Sequence, residues 1–394
     1  MRVMLVSIVP PRNDCGGRIV MYRHLVERKP FDLHVVSNAD FGDDLLIHTK
    51  IKLPFPIQKI KKSRFGPKFQ NWIIDFENFI WPLMHFREIE RAIEHFKPDI
   101  LLTLAENSIC YVAQKLAYKY QLPLAVLFLD WVPIMDGHFG HKATRSTLDR
   151  RFRQLYKDCD LAFCTSDGMQ EELGEHPNSH VIYPMPGKHQ VPDSVWPSKN
   201  EKFRLVYVGN AQGFYGRMLR ALLHEFQSHP DMELIIVGPT QDWPEEELRR
   251  AKAKGICLGF MPPEKAAEVL AGADALLVVM SFEREHELFM RTSFTTKFLD
   301  YSAFAKPVIL WGPDYCTPSR LAKREDAAWV VETESPAGVI SAAKKLMDDS
   351  AEVARLAASS RRMNQTVFSP ERLQEIFETQ IENLASKVAR LYGT

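Results

Sequence analysis

Three adjacent residues, Thr295, Thr296 and Lys297, have the types and spacing of a phosphate site. The sequence predicts that a helix begins here, and either threonine could act as its N-cap. The free backbone N–H groups of a helix N-terminus favour an anion. Lys297 would oppose the helix dipole, and a bound phosphate would reverse that penalty. Asp300, one turn later, could accept hydrogen bonds from an attached sugar. An ordinary capped helix with a chance lysine explains these residues equally well.

A second group of anion-binding candidates follows the apolar run at 204–208. Gly209 would let the backbone approach a ligand closely. Arg217 lies at the start of the next predicted helix, where a guanidinium can bind a phosphate through two hydrogen bonds. The spacing of Gly209, Gly213 and Gly216 differs from the Gly-x-Gly-x-x-Gly fingerprint, which argues against NAD or FAD.

Similar candidates lie in the N-terminal half. Gly16 and Gly17 follow the first predicted strand and open a helix, which is a weak signal for a phosphate loop because such turns are also common connectors. Glu106 and Asp130 follow two apolar strands. Ligands of open α/β sheets bind at such strand ends, so both carboxylates are catalytic candidates, and burial could raise the pKa of Asp130. Loop capping is the competing interpretation.

Two histidines, His138 and His141, lie in the loop that begins at Asp136. A His-x-x-His pair outside a helix and without nearby cysteines is a poor zinc motif. Contact with an acceptor substrate or a plain surface position suits them better. The acidic residues at 40, 43 and 44 do not make a persuasive metal site either, so no metal is expected.

One basic segment is interleaved with aromatic residues. It contains Lys59, Lys61, Lys62 and Arg64, followed by Phe65, Lys68, Phe69 and Trp72. Such a segment could lie on an anionic membrane surface or help to hold an acidic acceptor. A solvated loop is the simpler alternative.

Composition narrows the class of protein. A chain of 394 residues suits two domains. Its 50 basic and 50 acidic residues cancel, which gives no support for nucleic-acid binding. The six cysteines are scattered without a Cys-x-x-Cys pair and indicate reduced thiols. Neither a signal peptide nor an apolar run of membrane-spanning length is visible, so a cytoplasmic protein is expected, with the inner face of the membrane as an alternative location.

Strand-like runs alternate with helical patterns along the whole chain, which predicts parallel α/β sheets. In the first half, strands are predicted at 2–7, 33–37, 100–104, 124–129, 161–165 and 181–183, and one of the helices between them is predicted at about 76–95. In the second half, they are predicted at 204–208, 234–237, 256–258, 275–280, 308–310 and 329–331. The pattern divides the chain into domains at 1–187 and 203–369, a Pro-rich linker at 188–202 and a terminal helix at 370–394. Asp242 and Glu245 have the spacing of a capping box.

The segment from 295 to 309 resembles a known family. It reads Thr-Thr-Lys-Phe-Leu-Asp-Tyr-Ser-Ala-Phe-Ala-Lys-Pro-Val-Ile, and many family-4 GT-B glycosyltransferases carry Thr-Thr-Lys-Leu-Leu-Glu-Tyr-Leu-Ala-x-Gly-Lys-Pro-Val-Ile. The stretch that ends at Arg217 is similar to the Gly-Ser-Phe-Tyr-Gly-Gly-Arg of one subgroup. Asp300 replaces the usual glutamate. Three family residues are missing: an acid at Thr292, a histidine or arginine at Leu129, and an arginine at Asn210.

The resemblance implies a GT-B fold, with two Rossmann-like domains whose parallel sheets face each other across a cleft. It implies that the second domain holds the diphosphate of a nucleotide sugar near Lys297 and its ribose near Asp300. The loop at Gly16 and Gly17 would approach the phosphates and the acceptor. It further implies that the terminal helix packs back towards the first domain, and that transfer retains the anomeric configuration without a metal.

The predicted function is therefore glycosyl transfer from a nucleotide sugar, by default a UDP-sugar, without a cofactor. The acceptor would be a carbohydrate, a lipid-linked molecule or a small molecule. Two alternatives stay open. A nucleotide-sugar epimerase on the same fold would need no acceptor. A non-catalytic sugar-nucleotide-binding protein would explain the departures at Leu129 and Asn210.

Overall fold

The computed structural model of the chain forms two compact units. One unit comprises Met1–Met185 with Leu373–Thr394, and the other comprises Pro186–Arg372. The structure describes residues 1–8, 10–13, 16–39, 47–52, 55–106, 108–135, 137–187, 201–240 and 242–392. The acidic residues at 40, 43, 44 and 136 lie outside the described residues, as does most of the predicted linker at 188–202.

The N-terminal unit contains a seven-stranded parallel sheet with the order β3-β2-β1-β4-β5-β6-β7. Its strands are β1 (Arg2–Val6), β2 (Asp32–Ser37), β3 (Ile47–Lys50), β4 (Ile100–Leu104), β5 (Leu124–Phe128), β6 (Leu161–Cys164) and β7 (Ser179–Val181). Its helices are α1 (Gly16–Met21), α2 (Phe55–Lys61), α3 (Gly66–Asp75), α4 (Arg87–Phe96), α5 (Ile109–Tyr120), α6 (Arg145–Asp158) and α7 (Asp167–Leu173). Strands β4 and β5 are buried along their whole length, as expected when helices cover both faces of a parallel sheet.

The C-terminal unit contains a six-stranded parallel sheet with the order β10-β9-β8-β11-β12-β13. Its strands are β8 (Phe203–Val208), β9 (Met232–Val237), β10 (Cys257–Gly259), β11 (Ala275–Val279), β12 (Val308–Trp311) and β13 (Trp329–Val331). Its helices are α8 (Gly213–Phe226), α9 (Glu245–Ala253), α10 (Pro263–Ala271), α11 (Glu287–Thr292), α12 (Thr296–Ser302), α13 (Thr317–Arg324), α14 (Ala337–Asp348) and α15 (Ser350–Gln365).

Both sheets reverse their strand order beside the first strand of the unit, between β1 and β4 and between β8 and β11. At such a point the two following loops diverge and leave a crevice at the carboxyl ends of the strands. This crevice is the usual ligand site of open α/β sheets. Each unit therefore has one position where candidate functional residues should be sought.

The last helix, α16 (Pro370–Tyr392), belongs to the N-terminal unit from Leu373 onwards. Gln374 Oε1 lies 2.9 Å from His24 Nδ1, and both side chains are buried. The ring of Phe377 packs against His24 and Phe163, with centroid distances of 4.6 and 5.2 Å. These contacts join the helix to the region after α1 and to β6. None of the described helices is long and apolar enough to cross a membrane.

Two predictions for the N-terminal half were wrong in detail. Residues 76–95 do not form one helix: a π-helical turn (Phe76–Ile80) continues α3, a 3-10 turn (Trp81–Leu83) follows, and α4 begins only at Arg87. Pro82 explains the interruption, because its nitrogen carries no hydrogen for an intrahelical bond. Strand β3 was missed because it is a short edge strand whose residues are all partly or fully exposed, which weakens the hydrophobic pattern.

Candidate functional site

The crevice of the C-terminal unit is built around Gly209, directly after β8. Gly209 has a φ of +143°, and a Cβ atom placed on it would lie 2.3 Å from Lys297 Cε. Gly238, after β9, has a φ of +144°, and a Cβ there would lie 1.8 Å from the carbonyl oxygen of Gly209. Only glycine fits these two positions. The side chain of Lys297 therefore lies directly over the backbone at the end of β8.

Tyr301 sets the position of Lys297. Its hydroxyl oxygen accepts a hydrogen bond from Val208 N at 2.8 Å and lies 3.2 Å from Val208 O, to which it donates. Tyr301 follows Lys297 by four residues, so both side chains share one face of α12. The two contacts fix this helix face against the end of β8. Tyr301 was not among the predicted site residues, although its spacing of four from Lys297 was a usable signal.

The ammonium group of Lys297 is withdrawn from water. Burial lowers its pKa to about 8, and the nearby carboxylate of Asp300 opposes that shift. Its Nζ lies 4.5 Å from the ring centroid of Tyr215 and 5.4 Å from that of Tyr207. Within the described part of the chain, Nζ makes no hydrogen bond or ion pair with an oxygen atom. A partly desolvated cation of this kind gains strongly from a charge-assisted bond to an anion.

The beginning of α12 supplies further polar groups. Thr295 occupies the N-cap position, but its side chain accepts no capping hydrogen bond, contrary to the simplest form of the prediction. Thr296 is the first helical residue and is exposed. One turn later, Asp300 Oδ1 lies 3.4 Å from Gly187 N, which donates to it. Thr295, Thr296, Lys297 and Asp300 therefore lie together at this end of the sheet, beside Gly209.

Arg217 has a carboxylate partner that the sequence analysis did not anticipate. Its Nε lies 2.9 Å from Glu283 Oε1, and its Nη2 lies 2.6 and 2.7 Å from the two carboxylate oxygens. Glu283 Oε2 also lies 3.2 Å from His286 Nδ1. The guanidinium is 57% exposed, so the pair contributes little, about 0–1 kcal/mol. A phosphate could replace Glu283 at low cost.

The loop between β8 and α8 is fixed by the segment before α9. Gly213 N donates to Asp242 Oδ2 at 2.6 Å, and Trp243 Nε1 donates to Ala211 O at 2.8 Å. The predicted capping box was wrong, because Pro244 is the N-cap residue of α9 and makes no side-chain cap. Asp242 instead satisfies the first amide of α8.

The crevice of the N-terminal unit brings two carboxyl groups together. Glu106 follows β4 and Asp130 follows β5, its neighbour in the sheet. Burial raises the pKa of Glu106 to about 7, the negative charge of Asp130 adds to this, and Arg18 of α1 opposes it. A carboxyl group with a pKa near neutrality can both take up and release a proton. Arg18 was not singled out in the sequence, although it directly follows Gly16 and Gly17, which open α1.

The two histidines have different environments. Burial lowers the pKa of His138, and the nearby charge of Asp130 opposes that effect. His141 Nδ1 lies 2.6 Å from Asp75 Oδ2. Asp75 Oδ1 also accepts hydrogen bonds from Gly140 N at 3.0 Å and Thr144 Oγ1 at 2.8 Å. His138 thus lies near a carboxylate of the crevice, whereas His141 holds its loop closed through Asp75. Among the described residues, no group of three or more His, Cys, Asp or Glu side chains could hold a metal ion.

Residues 202–349 match the sequence pattern of the family described as "Glycosyl transferases group 1". This segment contains both glycine positions, Arg217 and the whole of α12. No curated protein matches the chain by sequence.

Solved structures match nearly the whole chain. HepE from Anabaena, in complex with UDP, is 12% identical with a TM-score of 0.66, covering 97% of this chain and 100% of HepE. Sucrose-phosphate synthase from Thermosynechococcus elongatus is 12% identical with a TM-score of 0.68, covering 98% and 99%. WaaG, a glycosyltransferase involved in lipopolysaccharide biosynthesis, is 14% identical with a TM-score of 0.59, covering 95% and 99%. These similarities confirm the predicted fold class, two parallel α/β domains of the GT-B type.

Proposed function

We propose that this protein is a glycosyltransferase that moves a sugar from a nucleotide-sugar donor to an acceptor hydroxyl. The observation that carries the proposal is the Lys297 ammonium group, held over Gly209 without an oxygen partner among the described residues. Two findings support it. Lys297 lies inside the segment that matches the glycosyltransferase family, and similar structures of HepE are complexes with UDP, with UDP and glucose, and with UDP-glucose. A UDP-sugar is the donor we propose first.

In this proposal the C-terminal unit binds the donor. Lys297 and Arg217 contact the diphosphate, with Arg217 exchanging Glu283 for phosphate oxygens. Thr295 and Thr296 contribute from the beginning of α12. Asp300 accepts hydrogen bonds from the ribose, since a carboxylate is an acceptor for hydroxyl donors.

The N-terminal unit would bind the acceptor, which we propose to be a carbohydrate, a lipid-linked molecule or a small molecule with a free hydroxyl. The backbone at Gly16 and Gly17 would lie close to the bound substrate. Asp130 and His138 would position the reacting hydroxyl, and Glu106 would receive its proton. The acceptor oxygen forms the new bond to the anomeric carbon as the bond to the diphosphate breaks, with retention of configuration. Lys297 and Arg217 stabilise the charge that develops on the leaving group.

Transfer is expected to persist in EDTA. In the proposed mechanism the two cationic side chains, rather than a divalent ion, neutralise the leaving diphosphate. The measurement is the initial rate of product formation with and without chelator, at fixed ionic strength. Complete loss of activity that Mn²⁺ or Mg²⁺ restores would contradict the metal-independent mechanism.

Thermal unfolding tests the donor class directly. The protein should be stabilised by one nucleoside diphosphate and its sugars in a panel of UDP, GDP and ADP derivatives. A ligand at ten times its Kd adds about 1.4 kcal/mol, which corresponds to a rise in Tm of roughly 3–6 °C for a domain of this size. No shift with any member of the panel would contradict the proposal.

The products distinguish the proposed function from its two alternatives. The stabilising nucleotide sugar is incubated with and without candidate acceptors, and the sugar products are separated. An acceptor-dependent glycoside supports transfer. Conversion of the donor to its epimer without an acceptor would identify an epimerase. Binding without turnover across the acceptor panel would favour a binding protein.

A further inference from the structure

Helices α2 and α3 form a tightly closed hairpin at the surface of the N-terminal unit. Ser63 Oγ donates to Ile60 O at 2.8 Å and stabilises the connecting turn. A Cβ atom on Gly66 would lie 2.6 Å from the carbonyl oxygen of Lys61, so only glycine lets α3 begin this close to α2. From the sequence, a solvated loop was the simpler interpretation of this basic segment. The structure instead gives it a defined shape with two distinct chemical surfaces.

The first surface is an apolar stripe that faces solvent. Its members on α3 are spaced by four and then three residues, which is the spacing of one helix face, and two more follow in the turns after α3. The large exposed members are Phe65, Phe69, Trp72, Ile80 and Leu83, with exposed fractions of 45, 48, 67, 52 and 70%. Beside them is a groove of about 660 Å³, to which α2 contributes Ile57 and Ile60. A continuous exposed apolar surface of this kind is typical of an interaction site.

The second surface is cationic. Residues 52–74 contain six basic side chains and no acidic one, although the whole chain has equal numbers of both charges. Lys61 Nζ lies 2.9 Å from Glu77 Oε1, and Arg64 Cζ lies 4.8 Å from the ring centroid of Phe65. Lys59, Lys62 and Lys68 are exposed and have no ion-pair partner within the described ranges. The positive charge therefore lies beside the apolar stripe.

We propose that this hairpin docks the protein onto an anionic lipid bilayer. Phe69, Trp72 and their apolar neighbours would enter the interface between headgroups and acyl chains, where aromatic rings are favoured. The lysines would contact lipid phosphates. Self-association through a two-fold contact is disfavoured, because it would place the two cationic surfaces against each other. This inference is independent of the proposed glycosyl transfer, since it rests on a different surface.

Sedimentation with lipid vesicles tests the charge requirement. The protein should bind vesicles of phosphatidylcholine mixed with phosphatidylglycerol, and bind poorly to phosphatidylcholine alone. Each lysine near an anionic surface contributes about fivefold in affinity, or about 1 kcal/mol, so Lys59→Gln/Lys62→Gln/Lys68→Gln should bind roughly 100-fold more weakly. The matched control, Lys252→Gln/Lys254→Gln/Lys344→Gln, removes three exposed lysines of the C-terminal unit and should bind like the parent.

A separate variant tests what the apolar stripe contributes to vesicle binding. Phe69→Ser/Trp72→Ser should lose binding at both low and high salt, whereas charge neutralisation matters most at low salt. Phe260→Ser, which alters an 84% exposed phenylalanine elsewhere, is its control. Circular dichroism and Tm establish that each variant is folded.

Three results would overturn the proposal: no binding of the parent to anionic vesicles, equal losses in variant and control, or a dimer of the parent in solution that Phe69→Ser/Trp72→Ser converts to monomer. Donor-induced thermal stabilisation should be unchanged in the hairpin variants, so failure here is distinguishable from failure of the proposed function.

Discussion

Replacing Lys297 by methionine is expected to weaken binding of the preferred nucleoside diphosphate by roughly 10- to 100-fold. The estimate follows from the 1.5–3 kcal/mol that a hydrogen bond to a charged group typically contributes. The loss should be larger at low salt, because screening already weakens the parent's contact at high salt. Isothermal titration calorimetry with UDP, GDP and ADP measures the effect.

The same variant should be at least as thermally stable as the parent without ligand. Burial lowers the pKa of Lys297 from 10.5 to about 8, so the folded state binds fewer protons than the unfolded state between these values. The parent's stability should therefore increase as the pH rises from about 8 towards 10.5, and the penalty of the buried charge is fully present below pH 8. Methionine removes that penalty while keeping a side chain of similar length over Gly209.

Lysine titration also predicts a pH dependence of binding. The parent's diphosphate affinity should fall as the pH rises above about 8, because the ammonium group loses its proton, and Lys297→Met should lack this fall. Lys306→Met is the matched control, since burial also lowers the pKa of Lys306 but its charged neighbour is Asp274. Unchanged affinity for UDP, GDP and ADP in Lys297→Met, when the parent binds one of them, would refute the donor assignment.

The sheets could be predicted from the sequence because their strands are short apolar runs between helical patterns. All six strands of the C-terminal unit lie where the sequence placed them. The exceptions have physical reasons. Strand β3 has no buried residue, so its hydrophobic pattern is weak. The α2–α3 hairpin directs its apolar stripe to solvent, although such a stripe normally indicates a core-facing side.

Candidate site residues could be singled out from the sequence, but the contacts between them could not. Gly209 and Lys297 were both identified, yet their contact depends on Tyr301 and its hydrogen bonds to Val208, 93 residues away. The pairing of Arg217 with Glu283 spans 66 residues. Local spacing carries no information on such pairs, because they form only when separate elements pack.

The carboxylates were easier to place together, since Glu106 and Asp130 end neighbouring strands. The raised pKa of Glu106, however, depends on its burial and on the charges around it, including Arg18, which the sequence did not reveal. His141 is a similar case. Its partner Asp75 is 66 residues away, so its loop-closing contact could not be distinguished from a role in acceptor binding.

Glu106→Gln is expected to lower kcat by about 10²- to 10⁴-fold, the usual contribution of a general base, with little change in donor affinity. The base must be ionised, so the parent's kcat/KM should rise with pH through about 7, the raised pKa of Glu106 in the free enzyme, and then level off. Glutamine has no ionisable proton, so this ascending limb should disappear in the variant. Steady-state kinetics across a pH series measure both effects.

Asp130→Asn should change the same pH profile indirectly, through its effect on the pKa of Glu106. The charge of Asp130 helps to raise the pKa of Glu106, so its removal should move the ascending limb to lower pH. The displacement should be partial, because burial is the larger cause of the raised pKa. A fall in kcat without any displacement would mean that Asp130 acts only by positioning the acceptor hydroxyl and does not tune the pKa of Glu106.

Unfolding measurements give a readout that does not depend on activity. Because the pKa of Glu106 is raised from 4.5 to about 7, the folded state binds more protons than the unfolded state between these values. Its contribution to stability should therefore decrease as the pH rises from 4.5 to 7, and Glu106→Gln should remove that dependence. If this slope changes as expected but both single variants and the double variant transfer sugar at near-normal rates, the two carboxylates are structural. The acceptor proton would then pass to a phosphate oxygen of the donor.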